Sequence, residues 1–352
     1  MKKPLSVYLH VPFCEARCSY CDFYSNVSGE KEVNEYVDRL CAEIKAFNKR
    51  DYIVKTIFIG GGTPSVLTPA QITRIFKSLK EFEWADGAEV SIESNPNSLA
   101  REKLETYLAL GVNRLSIGVQ SFDDKTLKIL GRLHSAEAAV SAIKLAREVG
   151  FKNINIDLIY GVPEGEVNLP SEILGELTHI SLYNLIEEEG TRLTENKDLT
   201  RKTEDEVIAE QTQLESVLNR AGFSKYEVAN FAREGFECSH NLVYWLGGDY
   251  IGFGSSAHSL VNNKRFSNSN QLIYRKGSEY NRTEFDIFRE RVMLGLRTRY
   301  GISGEFAEKV RAESGKELAE LISNGFLKDD GENIITTEKG LQILNQIILK
   351  IL

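Results

Sequence analysis

The chain has 352 residues, 42% hydrophobic and 27% charged, with a formal net charge of −8 and a pI near 5.4. That length suits one large domain with a smaller companion, and the acidic balance repels phosphate backbones, which argues against a broad nucleic-acid surface. No apolar run is long enough to span a bilayer, and five cysteines, an odd number, do not suit a disulfide framework.

The opening MKKPLSVYLHVPFC imitates a basic leader followed by an apolar run. The run is too short for a signal peptide and alternates like a strand, so a cytoplasmic protein is expected. In a reducing compartment, closely spaced cysteines bind metal or do chemistry. Three of the five, Cys14, Cys18 and Cys21, directly follow this first predicted strand. A helix comes next, with Val33, Tyr36, Val37, Leu40, Cys41, Ile44 and Phe47 on one stripe; Cys41 reads as a small buried side chain.

Five more β-rich runs follow: VKTIFIGG, AEVSIESN, RLSIGVQS, NINIDLIYG and HISLYNL. Helical patterns over 69–80, 101–110 and 136–149 alternate with them. Strands followed by helices imply parallel pairing through crossovers. The fold class is therefore α/β, a partial (β/α) barrel, with a doubly wound sheet as the competing arrangement. A further helix over about 200 to 222, through Val207, Leu214, Val217 and Leu218, completes a first domain of residues 1–223. Residues 224–283 read as mixed strand and loop.

From Glu284 the character changes. FDIFRERVMLGLRTR, a second short helix and ELAELISNGFLKDDGENIITTEKG predict three helices and a hairpin turned at Asp330-Gly331. This looks like a small winged-helix-like α+β domain over 284–352. It carries no basic stripe, so no nucleic-acid partner is expected. The final LQILNQIILKIL is apolar on more than one face and reads as core packing; a homodimer or a peripheral membrane contact is the alternative.

The cysteine loop can curl so that three soft thiolates meet one face of an iron–sulfur cube. Phe23 occupies the next nearby position, which would leave one iron without a protein ligand. A closed zinc site completed by His10 is the alternative. The loop's place at the end of a strand, where (β/α) barrels put their chemistry, favours the cube. The second strand ends in GGGTP, Gly60 to Pro64, which lacks the residues of a phosphate loop but lets a ligand approach bare backbone. Glu93 and Gln120 close the third and fourth strands, Arg132 follows, and Asp157 lies in the fifth. Together they suit one polar ligand: carboxylates accept from hydroxyls or an ammonium, and an arginine pairs with a carboxylate.

The spacing in CEARCSYC, with Tyr20 before the last cysteine, resembles that of the radical S-adenosylmethionine enzymes. The resemblance implies a 4Fe–4S cluster on Cys14, Cys18 and Cys21, with S-adenosylmethionine bound at the open iron. An electron from the cluster then cleaves the sulfonium to release a 5′-deoxyadenosyl radical. It also assigns Tyr8, Tyr20, Gly61, Gly62, Thr63, Glu93, Gln120, Arg132 and Asp157 to S-adenosylmethionine.

The phrases YLHVPFC, FIGGGTPS, RLSIGVQSF, NIDLIYGVP, YNLIEEEGT, YEVANFA and DYIGFGSSAHS resemble the oxygen-independent coproporphyrinogen III oxidase group over nearly the whole chain. The oxidases of that group carry a long leader and a fourth cysteine two residues after the third. Here the cluster starts at residue 14 and Cys21 is followed by Asp22 and Phe23. Both departures point to the heme chaperone branch, which hands heme to acceptor proteins. CSHNLVYW, Cys238 to Trp245, matches that branch's H-N-x-x-Y-W signature. The expected heme ligand is His240, with Tyr244 and Trp245 as flat apolar faces and Cys238 as a candidate second ligand. The resemblance thus implies heme as cargo, heme-accepting partner proteins and an electron donor. It leaves enzymatic activity open, the alternative being a radical oxidoreductase acting on a tetrapyrrole. The stretch between Pro163 and His179 is short for the group, which puts one crossover helix in doubt.

Overall fold

The computed structural model describes residues 2–352. Six strands form where the apolar runs lie: β1 Lys3–Val11, β2 Tyr52–Gly61, β3 Trp84–Ser94, β4 Arg114–Gln120, β5 Asn153–Tyr160 and β6 His179–Asn184. Each pairs in parallel with the next, so their order in the sheet is their order in the chain. A doubly wound sheet reverses its order at a switch point, so this consecutive order selects the barrel winding.

The barrel does not close. Beyond β6 lie β8 Asn230–Ala232 and β7 Ser224–Lys225, both antiparallel. Beyond β1 lies β9 Tyr250–Phe253, parallel to it, then β10 His258–Val261, β11 Lys264–Asn268 and β12 Lys276–Asn281. The result is one open sheet of twelve strands with β12 and β7 at its two free edges. Residues 224–283 are thus shared between both ends of the sheet.

Helices α1 Glu30–Ala46, α2 Pro69–Leu79, α3 Arg101–Leu110, α4 Asp124–Ile129 and α5 Ala136–Val149 fill the crossovers. Between β5 and β6 a short 3-10 turn, Ser171–Glu176, stands where a crossover helix would be. Then come α6 Arg192–Glu195, α7 Glu204–Arg220 and α8 Ser239–Trp245. Local chemistry explains the boundaries. At the start of α2, Thr68 and Gln71 cap each other's backbone amides and Pro69 sits at the first helical position. Such a cap stabilises by about 1 kcal/mol. All seven residues of β4 are buried, as in a strand covered on both faces. Its last residue, Gln120, has a φ of 69°, a left-handed backbone that costs a non-glycine residue about 1 kcal/mol.

The C-terminal part runs α9 Glu284–Gly295, β13 Ile302–Ser303, α10 Gly304–Glu313, α11 Gly315–Ser323, β14 Leu327–Asp329, β15 Asn333–Thr336, α12 Glu338–Leu341 and α13 Leu344–Ile351. Three helices followed by a hairpin is the order of a winged helix. Phe288, Val292, Leu296, Ile334 and Ile347 belong to a hydrophobic core separate from the one under the main sheet. The apolar tail serves that core: α13 buries Leu344, Ile347, Ile348 and Ile351, and leaves Leu349 80% exposed. Among the described residues no helix is long and apolar enough to cross a membrane.

Candidate cluster and cofactor site

The C-terminal ends of β1 to β6 surround a cavity of about 490 Å³. Cys14, Cys18, Cys21, Tyr20, Gly61, Gly62, Thr63, Glu93, Gln120, Arg132 and Asp157 all line it. Residues spread over more than a hundred positions meet there because parallel strands bring their ends to one rim. Of the residues named from the sequence, Tyr8, Cys238, His240 and Tyr244 line an adjoining chamber, and Trp245 lines neither. Tyr8 sits in β1 three residues short of the strand's end, and the chamber it lines shares Glu93 and Asp157 with the first cavity. Its hydroxyl lies 3.0 Å from His10 Nδ1.

The cysteine loop has little regular structure, but it is pinned. Cys14 N donates to Asn26 O at 3.0 Å and Asn26 N to Pro12 O at 2.7 Å. Ser19 N donates to Leu130 O, and Leu193 N to Ser19 O, both at 2.9 Å. From the other side, Gly62 N donates to Val11 O at 2.8 Å and Thr63 N to Phe13 O at 2.7 Å. A β-carbon on Gly62 would sit 2.7 Å from Phe13 O and 3.0 Å from Cys14 Sγ, so only glycine lets these two loops touch. Arg132 spans the gap: Nη1 donates to Cys18 Sγ at 3.2 Å, and Nη2 to Asn95 Oδ1 at 2.7 Å and to Gly118 O at 2.6 Å. Asn95 Nδ2 in turn donates to Thr63 Oγ1 at 3.2 Å.

The donor set fits a cube better than a single ion. Among the described residues no three His, Cys, Asp or Glu side chains gather around one metal-sized point. The three cysteines instead all line one cavity. His10, the fourth ligand of the zinc alternative, is occupied by Tyr8 and by Tyr24 O, 3.4 Å from Nε2. Phe23 stands on the cavity rim, 73% exposed, and offers hydrocarbon rather than a ligand. Burial pushes the Cys21 thiol up, and the neighbouring Cys18 and Cys14 sulfurs add to the shift. A thiolate set of this kind becomes favourable once a cationic metal is present.

The cavity floor holds two carboxyls. Burial, and then Asp157, push Glu93 up to about 8, although Gly61 N donates to its Oε2 at 3.1 Å. Burial also raises Asp157, against a hydrogen bond of 2.9 Å from Asn155 Nδ2. A protonated Glu93 can donate to a ligand oxygen, and an ionised Asp157 can accept from a hydroxyl or ammonium.

A second chamber of about 210 Å³ adjoins the first and shares Glu93, Asp157 and Tyr183 with it. His240 lines it, 1% exposed. Thr56 Oγ1 donates to Ser6 Oγ at 2.7 Å, so at 2.7 Å from His240 it accepts from Nδ1–H. The lone pair is then on Nε2, which accepts from the Tyr244 hydroxyl at 2.8 Å. Burial, reinforced by Arg114, lowers His240 to about 3, so the ring is neutral. This is the state and the orienting bond a metal-binding imidazole needs, with Tyr244 covering the coordinating nitrogen. Glu89 on β3 accepts from Ser239 N at 2.9 Å and His240 N at 3.0 Å, capping α8 from outside the helix. Cys238 is buried, and burial pushes its thiol up to about 12.

Asn95 and Glu89 complete these sites without having been singled out from the sequence. Asn95 could have been found, since it follows Glu93 at the same strand end. Nothing in the sequence links Glu89 to a helix that begins 150 residues later.

An open parallel sheet with a three-cysteine loop at its rim defines a radical S-adenosylmethionine protein: the profile of the Radical SAM superfamily matches residues 8–169, and that of the HemN C-terminal domain matches 283–343. The heme chaperone HemW of Bacillus subtilis is 34% identical over 373 residues, 97% of either chain. That of Lactococcus lactis is 30% identical over 374 residues, covering 100% of this chain and 98% of the relative. Coproporphyrinogen III oxidase (HemN) from Escherichia coli, a radical SAM enzyme, superposes with a TM-score of 0.83 at 25% identity, covering 99% of this chain and 90% of that one. The chain belongs to the HemW family.

Proposed function

We propose that this protein is a heme chaperone, which binds heme and passes it to acceptor proteins. In this reading Cys14, Cys18 and Cys21 hold a 4Fe–4S cluster, and the strand ends beside them hold S-adenosylmethionine. When bound, that pair supplies one-electron chemistry at the sulfonium, fed by an electron donor. The observation that carries the reading is end-to-end similarity to relatives named heme chaperones. Phe23, where a fourth cysteine would stand in the oxidases, agrees with it. We assign His240 as the heme ligand through Nε2, which requires Tyr244 to withdraw its hydroxyl. Free cysteines in a metal-binding arrangement support a reading of the protein as cytoplasmic.

Titration of the purified protein with heme tests the assignment. Wild type is expected to bind stoichiometrically, and His240→Ala to bind at least about tenfold more weakly. Equal binding by the two removes His240 from the site.

The fold shared with coproporphyrinogen III oxidase favours a second reading, oxidative decarboxylation of a tetrapyrrole. It predicts a vinyl-bearing product when reconstituted protein meets coproporphyrinogen III and a reductant without oxygen. Turnover no higher than a protein-free blank counts against it.

A further inference from the structure

The second chamber contains a charged side chain that neither site uses. Arg114 opens β4, is 2% exposed and lines the chamber wall. Its Nε has no hydrogen-bond partner among the described residues. Cys238, Glu89, Tyr226 and Asp157 act on it through space, not through a hydrogen bond. The two carboxylates are engaged elsewhere: Glu89 holds the first amides of α8, and Asp157 accepts from Asn155. Their charges help keep the guanidinium ionised, but its buried donor stays unpaired, and a folded protein keeps such a donor where a ligand can accept from it.

The surroundings suit an anion with hydrogen-bond acceptors. Ser116, Ser181 and Asn230 line the same chamber. His179, also lining it, is held on both nitrogens, 2.6 Å from Asn155 Oδ1 and 2.8 Å from the Tyr226 hydroxyl. Glu93 and Asp157 also face the chamber; burial raises both towards the neutral form, and a protonated Glu93 can donate to an anion. At about 210 Å³ it falls below the roughly 300–1,000 Å³ of pockets that enclose whole drug-sized ligands. It has room for a side arm; a macrocycle reaching His240 Nε2 must enlarge it, beginning with withdrawal of the Tyr244 hydroxyl.

We propose that this chamber is a carboxylate-binding subsite in which Arg114 grips the carboxylate of a propionate arm carried by a tetrapyrrole. The planar guanidinium fork matches a carboxylate with two parallel bonds. His240 lines the same space, so the iron ligand and the anchor for the arm are neighbours. The source of the carboxylate rests on the heme reading; the subsite itself does not. A free short carboxylate would meet the same chemistry.

The test has two arms. In the first, wild type, Arg114→Gln and Arg114→Lys are titrated with heme and with heme dimethyl ester, with circular dichroism checking the fold. Esterification is expected to weaken wild-type binding by about tenfold or more. Arg114→Gln is expected to weaken heme by a comparable factor and to leave ester binding unchanged, with Arg114→Lys in between. Equal binding of heme and ester by wild type overturns the propionate assignment, even if the variants do not fold. Independent, multiplying losses from ester and substitution overturn it as well.

The second arm omits heme and follows thermal unfolding in sodium propionate. A rise in midpoint for wild type but not for Arg114→Gln supports the subsite; the same rise in both, or none in wild type, overturns it. A propionate effect combined with indifference to esterification shows that the subsite takes a free carboxylate and that the tetrapyrrole arm is wrong. If wild type binds no heme at all, the chaperone reading fails, and the propionate arm still decides the subsite.

Discussion

Arg132 donates to Cys18 Sγ at 3.2 Å and, from the neighbouring nitrogen, to Gly118 O at 2.6 Å. One guanidinium thus ties the cysteine loop to the end of β4 across 114 residues of sequence. The loop has no helix or strand of its own to hold its shape, so this bond does a share of that work. Arg132→Ala removes three bonds from a charged donor, each contributing roughly 1.5–3 kcal/mol at best. The expected outcome is S-adenosylmethionine affinity lowered by at least about tenfold in reconstituted protein. Calorimetric titration checks it, with the iron count per chain as a second readout. Arg132→Lys should recover little, since a single ammonium cannot reach several acceptors in a fixed plane.

Gly62 admits no side chain. Alanine there would press on Phe13 O at 2.7 Å and Cys14 Sγ at 3.0 Å, so either the loop after β1 or the loop after β2 must move. Gly62→Ala should lower the iron and sulfide retained after reconstitution and destabilise by about 1–3 kcal/mol. Gly29→Ala is the matched control, because nothing lies within 4 Å of its β-carbon. It should stay within about 0.5 kcal/mol of wild type in a denaturant melt.

Glu93 predicts a pH dependence with a definite sign. Its ordinary value is 4.5 and burial raises it to about 8, so across that interval the folded chain binds a proton that the unfolded chain has released. Stability of the cluster-free protein therefore falls as pH rises through the window, and the loss is complete above the folded value. Asp157, raised by the same burial, adds a contribution of the same sign. Glu93→Gln should flatten most of it, by a few kcal/mol between about pH 5 and pH 8. Chemical denaturation at several pH values measures this; an unchanged slope in the variant contradicts the assigned protonation.

Tyr244→Phe separates two roles of one hydroxyl. It now covers His240 Nε2 at 2.8 Å. If that nitrogen binds heme iron, deleting the hydroxyl spares the bond that must otherwise break, about 1 kcal/mol. Heme affinity should then rise by up to about fivefold while apo-protein stability drops slightly. A fall in affinity means that Tyr244 contributes to the heme site more than it obstructs.

The main strands were legible because a parallel strand covered on both faces is a nearly unbroken apolar run, as in β4 and β5. The strand-end residues were legible for a related reason: a polar or glycine residue that closes such a run must lie on the rim. Tyr8, within β1 and short of its end, was named through the resemblance and not by that rule. The edge strands were not legible. β12, KGSEYN, is exposed at every position and reads as loop without its partner β11. Arg114 was invisible as a site residue because an arginine at a strand's start reads as solvent-facing. Only its pairing between Ser91 and Asn153 puts it mid-sheet, where water does not reach it.

Having two cores has a thermodynamic consequence. The residues around Val292 and Ile347 form their own core, joined to the sheet mainly by polar links: the backbone bridge from Glu227 to Thr298, the ion pairs Arg299–Glu237 and Arg265–Glu290, and Arg291 on Leu246 O. Polar links between separate cores couple them less tightly than shared packing would, so heating need not dissolve both halves together. A calorimeter should record two overlapping transitions, and the half that carries the cysteines can stay ordered after the tail has melted.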